Sequence, residues 1–157
     1  MIESGQPAPD FELPDQDGNP VRLSELRGRR VVLYFYPKAD TPGCTTQACG
    51  IRDHQADYDA AGATILGVSP DPVKAVKKFH DKYALSFDLL ADSDHVVADQ
   101  YGVWVEKSMY GRKYWGNARA TFVIDEEGIV RHVVPKASPK THDDVILAAL
   151  AELAPAA

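Results

Sequence analysis

The chain holds two cysteines, Cys44 and Cys49, and the first follows Thr41-Pro42-Gly43, shortly after the apolar run 31–36. Thr41 is placed to cap a helix and Pro42 to be its first residue, so Cys44 falls in the first turn. Unpaired backbone N–H groups and the helix dipole favour an anion there, and the anion a cysteine offers is its thiolate. Such a sulfur serves as a nucleophile, a redox group or a metal ligand. The competing reading is a buried structural cysteine acting as a small apolar residue, which sits poorly beside Thr-Pro-Gly at a helix start.

The second cysteine stands five residues on. In an ideal helix that spacing separates two Cα atoms by about 8.7 Å, more than the roughly 6.8 Å a disulfide tolerates. If both lie on one helix they join only after its first turn unwinds. A general disulfide reductase prefers Cys-x-x-Cys, where no unwinding is needed. Two further readings stay open: thiolates delivering Cu(I), and a lone reactive Cys44 whose oxidised form is resolved by an outside thiol. The histidines His54, His80, His95, His132 and His142 share neither an i, i+4 pairing nor a Cys-x-x-Cys frame, so they read as solvated side chains. The glycines form no phosphate-binding loop, and no cofactor is expected beyond the thiols themselves.

The elements that would hold these thiols follow from periodicity. Residues 31–36 are β-branched and aromatic with no polar alternation, as in a central strand buried on both faces, and Pro37 ends it. Ala48, Ile51 and Tyr58 then recur at helical spacing, with Gly62 where a helix would be capped. Residues 64–69 give the next strand. Asp71 is placed to cap, and Pro72 to open, a helix with the stripe Val73, Val76, Phe79 and Tyr83. A short helix is expected over 94–101, and 102–119, with both tryptophans, reads as a long ordered loop. Residues 120–124 and 129–134 flank Asp125-Glu126-Glu127-Gly128 as a hairpin. Thr141 and Asp144 resemble a capping box for a last helix carrying Val145, Ile146, Ala149, Leu150 and Leu153, after which an Ala-Pro tail is expected to fray. With 94–116 and an N-terminal hairpin around Asp17-Gly18-Asn19 set aside, the order is βαβ, then α, then ββα. That is the thioredoxin order: an α/β fold with a central mixed sheet flanked by helices.

Bulk properties narrow the setting. At 157 residues, 45% hydrophobic and 25% charged, with no linker or repeat, residues 1–157 read as a single globular domain. A net charge of −6 without a basic cluster argues against nucleic acid as a partner, and the runs 27–30 and 74–78 read as solvated faces. Asp10, Glu12, Asp15 and Asp17 occupy the start, where an export signal would be basic and then apolar. No apolar run is long enough to span a bilayer. The expectation is a cytoplasmic protein with no membrane attachment. In that reducing setting two cysteines point to catalysis, sensing or metal binding before a permanent cross-link.

At this point the motif Pro37-x-x-x-Thr41-x-x-Cys44-Thr45 resembles the peroxiredoxin signature. The segment Gly43-Cys44-Thr45-Thr46-Gln47-Ala48-Cys49 further resembles the branch called bacterioferritin comigratory protein or PrxQ. The likeness runs through nearly the whole chain, including Gly102-Val103-Trp104 and Arg119 to Asp125. It implies a thioredoxin-like fold in the peroxiredoxin elaboration, with an N-terminal hairpin and an extra helix. It also implies a thiol peroxidase acting on hydrogen peroxide and organic hydroperoxides, with Cys44 passing through a sulfenic acid and Cys49 resolving it as an intramolecular disulfide. Thioredoxin or a similar dithiol donor would recycle that disulfide, in a monomer. By the same resemblance Pro37 shields the intermediate, Thr41 contacts thiolate and peroxide, and Arg119 polarises both. Without it, Arg119 would read as a surface charge ahead of a strand.

The implied chemistry makes physical sense of these residue types. Ionisation alone does not make a fast peroxidase, because a lower thiol pKa also lowers intrinsic nucleophilicity. Negative charge builds on the departing oxygen as sulfur attacks the nearer one, so donors aimed at both oxygens lower the barrier. Slow unwinding would let a second peroxide overoxidise Cys44. The aromatics Tyr101, Trp104, Tyr110, Tyr114 and Trp115 read singly as core, or together as an apolar wall for alkyl hydroperoxides.

Overall fold

The computed structural model describes residues 1–153; the expected Ala-Pro tail begins beyond them at Ala154. A five-stranded mixed sheet forms the centre, built from β3 (Arg30–Phe35), β4 (Ala63–Ser69), β5 (Asp88–Ala91), β8 (Thr121–Ile124) and β9 (Val130–Val134) in the order β5-β4-β3-β8-β9. β3, β4 and β5 run parallel, while β8 and β9 are antiparallel additions on the other side. β3 is the middle strand, and its residues alternate between two cores. Val32 and Tyr34 face one, with Ala48, Ile51, Tyr58, Phe79 and Ile146; Val31, Leu33 and Phe35 face the other, with Leu66, Tyr101 and Phe122. Apolar cover on both sides is why this strand shows no polar alternation.

The helices α1 (Pro42–Asp53), α2 (Gln55–Ala60), α3 (Val73–Lys82) and α5 (His142–Glu152) cover the first face, and α4 (Val96–Tyr101) packs on the second. β1 (Glu12–Pro14) and β2 (Pro20–Arg22) form the expected N-terminal hairpin. α3 buries Val76 and Phe79 of its expected stripe, and Gly102 takes a left-handed conformation at the end of α4.

The structure departs from the sequence expectations at several points. The helix expected through Ala48, Ile51 and Tyr58 is two helices, interrupted at His54, whose backbone (φ −104°, ψ 16°) leaves the α region. Asp71 does not cap α3; its carboxylate accepts the Ala39 N–H at 2.8 Å instead and pins the loop that follows β3. Thr141 precedes α5 as expected but makes no side-chain capping bond, so the box with Asp144 does not form. An edge strand, β5, lies between α3 and α4 where none was expected. Arg30 is not on a solvated face: its side chain is 13% exposed and pairs with Glu126 at 2.8 Å.

The largest difference is 102–119. In place of a loop there is a two-stranded hairpin, β6 (Trp104–Met109) and β7 (Arg112–Asn117). Tyr110 and Gly111 at its tip both have positive φ, 52° and 79°, the pattern of the tight turns that match strand twist. The usual Asn-Gly or Asp-Gly signal is missing because a tyrosine occupies the first of these positions.

Candidate active site

β3 delivers the chain to the site. After Phe35, the stretch 37–41 crosses the end of the sheet with Asp40 in a left-handed conformation, φ 59°, a geometry aspartate tolerates better than most residues. Its carboxylate is held by Lys82 Nζ and the Tyr83 hydroxyl, each at 2.8 Å, so the loop is tied to the end of α3. α1 then starts at Pro42, the N-cap position being Thr41, and Cys44 lies buried in the first turn. Cys49 is on the same helix and half-buried, and both cysteines are free thiols.

Arg119 reaches Cys44 from across the sheet. Both terminal guanidinium nitrogens lie 3.5 Å from Cys44 Sγ, and Nη1 also donates to Gln47 Oε1 at 2.9 Å. Sheet register explains the approach. Thr121 pairs with Tyr34 in the β8–β3 ladder, and Phe35 N–H bonds to Ala120 O at 2.8 Å, which sets Arg119 beside the carboxyl end of β3, where α1 begins. A Cβ on Gly43 would meet Arg119 Nη2 at 3.1 Å, so glycine there leaves room for the guanidinium against the helix start.

Of the other residues singled out in the sequence, Pro37 and Thr41 line a cleft of about 790 Å³. The Thr41 hydroxyl donates to Lys38 O at 2.8 Å rather than capping α1. The opposite wall belongs to the β6–β7 hairpin, through Lys107, Met109, Tyr114 and Trp115. The core reading of these aromatics holds for Tyr101, which is buried, and in part for Trp104, which packs against the second core at the base of the hairpin, but not for the other three. Tyr110 is 98% exposed, Trp115 57% and Tyr114 42%. β6 and β7 form a two-stranded sheet separate from the central one, and these three side chains stay open to the cleft and to water.

Three neighbours of Cys44 and Arg119 were not read from the sequence. Gln47 is buried and lies three residues past Cys44, on the same helix face, a spacing that could have flagged it. Lys107 has its amine pushed below the usual lysine range, first by burial and then by the positive charge of Arg119. His142 is not solvated. It is 2% exposed, Nε2 lies 2.9 Å from Thr121 Oγ1, and burial, followed by the Arg119 charge, lowers its pKa to about 4. A neutral imidazole therefore stands near the arginine. Tyr34, fully buried on the same face, has its phenol held well above the usual range by burial. No group of three or more His, Cys, Asp or Glu side chains with metal-binding geometry occurs among the described residues, and none of the described helices is long and apolar enough to cross a membrane.

The sequence and the fold that carry this arrangement have relatives among known proteins. Residues 4–133 match the model of the AhpC/TSA family. The chain is 51% identical over 141 residues to a putative peroxiredoxin bcp of Coxiella burnetii, covering 90% of this chain and 93% of that protein. It is 47% identical over 146 residues to peroxiredoxin Bcp of Escherichia coli K12, covering 93% and 94%. Among solved structures, peroxidoxin BcpB of Mycobacterium tuberculosis superposes with a TM-score of 0.88 at 39% identity, over 98% of this chain and 99% of that one. A Xanthomonas campestris bacterioferritin comigratory protein, described for its alkyl peroxide reduction activity, gives 0.88 at 36% identity, over 95% and 98%.

Proposed function

Because this chain belongs to the AhpC/TSA family and is a peroxiredoxin, a thiol peroxidase, we propose that Cys44 is its peroxidatic thiol and Cys49 the thiol that resolves it. The observation that carries this reading is the Arg119 guanidinium, with both terminal nitrogens 3.5 Å from Cys44 Sγ. In the first step the Cys44 thiolate attacks the terminal oxygen of a hydroperoxide. An S–O bond forms, the O–O bond breaks, and the electron pair leaves on an alkoxide or hydroxide that takes up a proton. Sulfur is oxidised to the sulfenic acid and the peroxide is reduced to an alcohol or water. Arg119 holds the thiolate and meets the charge developing along the O–O axis, a stabilisation that grows toward the transition state. Pro37 and Thr41, which line the cleft beside the start of α1, limit water access and orient the substrate.

In the second step Cys49 attacks the Cys44 sulfur. An S–S bond forms, the S–O bond breaks, and hydroxide leaves as water with a proton. Both cysteines lie in α1, so this step includes local unwinding. Thioredoxin or a similar dithiol protein then reduces the disulfide by exchange. The open cleft with its apolar hairpin wall supports organic hydroperoxides as substrates alongside hydrogen peroxide. A resolving thiol in the same helix needs no second subunit, which supports a monomer, and a cysteine pair that is reduced again in each cycle suits the reducing cytoplasm.

Intact mass and free-thiol count after one equivalent of hydrogen peroxide test the reading. Wild type is expected to lose about two mass units and both thiols, while Cys49→Ser gains about sixteen as a sulfenic acid. A wild type that keeps both thiols over minutes rules out this assignment.

A further inference from the structure

The disulfide-forming step proposed above requires α1 to unwind, and the two halves of this helix are held by different means. The N-terminal half is held in part through the reacting sulfur. Arg119 bridges Cys44 and Gln47, so oxidation of Cys44 alters a contact on which that half depends. The C-terminal half is pinned by groups the reaction does not touch. Arg52 Nη1 donates to Tyr83 O at 2.7 Å, tying the last turn to the end of α3.

A second tie comes from α5. The Asp143 carboxylate, 13% exposed, accepts the hydroxyl of the fully buried Tyr58 at 2.6 Å through Oδ1. Its Oδ2 lies 3.5 Å from His54 Nδ1, and that nitrogen donates to Gly50 O at 2.8 Å. A Cβ built on Gly50 would come within 2.6 Å of Asp143 Oδ2. The carboxylate therefore rests on the helix backbone at a position only glycine leaves open, one residue beyond Cys49. The backbone marks the same place, because the His54 N–H reaches both Gly50 O and Ile51 O at 3.1 Å where α1 breaks from α2.

We propose that Asp143 is a positioning residue for the disulfide-forming step: its carboxylate clasps α1 at Gly50, so that unwinding stops short of the clasp and Cys44 is carried to a nearly stationary Cys49. Confinement follows from the difference between the two halves. Unwinding started at Pro42 loses the Arg119 contacts first, then the packing of Ala48, and meets the independent polar ties at Gly50 and Arg52. The Cα separation must close from about 8.7 Å to within about 6.8 Å, which the residues before Gly50 supply without moving α2. This inference rests on the cycle proposed above.

Hydrogen exchange read by mass spectrometry on the reduced and disulfide forms tests it. In wild type, forming the disulfide is expected to lower amide protection over 44–49 by about a hundredfold while 51–60 keep theirs. In Asp143→Asn the loss should spread through Tyr58, with the rate of the first peroxide step unchanged. Should Asp143→Asn fold poorly, Gly50→Ala is the second variant. It displaces the carboxylate while installing a better helix former, so a spread of exchange there despite the added propensity identifies the clasp. A disulfide that loosens α2 in wild type, or variants with the wild-type boundary, overturns the clasp alone. A wild type that forms no Cys44–Cys49 disulfide overturns the cycle and the clasp together.

Discussion

Arg119 Nη1 is bonded to Gln47 Oε1 at 2.9 Å and stands 3.5 Å from Cys44 Sγ, so one nitrogen is both anchored and aimed. Gln47 is buried and fixed by the helix that carries the cysteine, which makes the guanidinium and the sulfur parts of one rigid unit. Gln47→Ala is expected to slow the oxidation of Cys44 by peroxide about tenfold, a barrier increase of about 1.4 kcal/mol. Stopped-flow fluorescence of the reduced enzyme measures this directly. A rate within about twofold of wild type would remove Gln47 from the account.

Replacing the arginine should cost more. Arg119→Met removes both donors facing sulfur, and kcat/KM for hydrogen peroxide should fall by about 10²- to 10³-fold, the range found for loss of a preorganised donor. Arg119→Lys is expected to recover little of this, because an ammonium cannot present two fixed nitrogens to neighbouring atoms.

The hairpin wall should matter for large substrates and not for small ones. Tyr114 and Trp115 line the cleft from β7, on the side opposite Pro37 and Thr41. In a Tyr114→Ala, Trp115→Ala double variant, KM for cumene hydroperoxide should rise about tenfold while that for hydrogen peroxide stays within about twofold. Equal effects on both peroxides would show that these rings act on the fold and not on the substrate.

His142 gives the protein an acid-sensitive component of stability. Its pKa falls from 6.5 to about 4 on folding, through burial and then the Arg119 charge. Between those values the unfolded chain binds a proton that the native state does not. Stability from this group is therefore complete above about 6.5 and is lost as pH falls toward 4, to the extent of about 3 kcal/mol. Denaturant titrations of wild type and His142→Gln across pH 4 to 7.5 should show a shallower slope for the variant in this window. Parallel curves would mean that the imidazole titrates normally.

Much of the fold was legible in local pattern. The uninterrupted apolar run at 31–36, the Thr-Pro-Gly entry to α1, the stripe of α3, the β8–β9 hairpin and the N-terminal hairpin depend on neighbouring residues, and each formed where its period placed it. Cys44 fell in the first turn of α1 for the same reason, since backbone preferences a few residues either side decide where a helix starts. Local chemistry misled where a distant group competed for the same atoms. Asp71 had the right position to cap α3, but the Ala39 N–H took its carboxylate. The β6–β7 hairpin hid behind a Tyr-Gly turn that lacks the usual signal.

By itself, then, the sequence determined the central strand, the start of α1 with Cys44 in its first turn, and the five-residue spacing of Cys44 and Cys49 on one helix, all of which follow from patterns along one segment. Only the tertiary structure decided how the guanidinium of Arg119, singled out by resemblance and not by local pattern, meets the sulfur, that Gln47 holds it, that His142 is buried beside Thr121, and that Asp143 rests on Gly50. Those contacts join residues up to about a hundred positions apart, and pairing of β8 against β3 and packing of α5 on α1 bring them together. Nearest-neighbour preferences carry no information about which distant side chain will fill a given space, because that is settled by sheet register and close packing of the whole core.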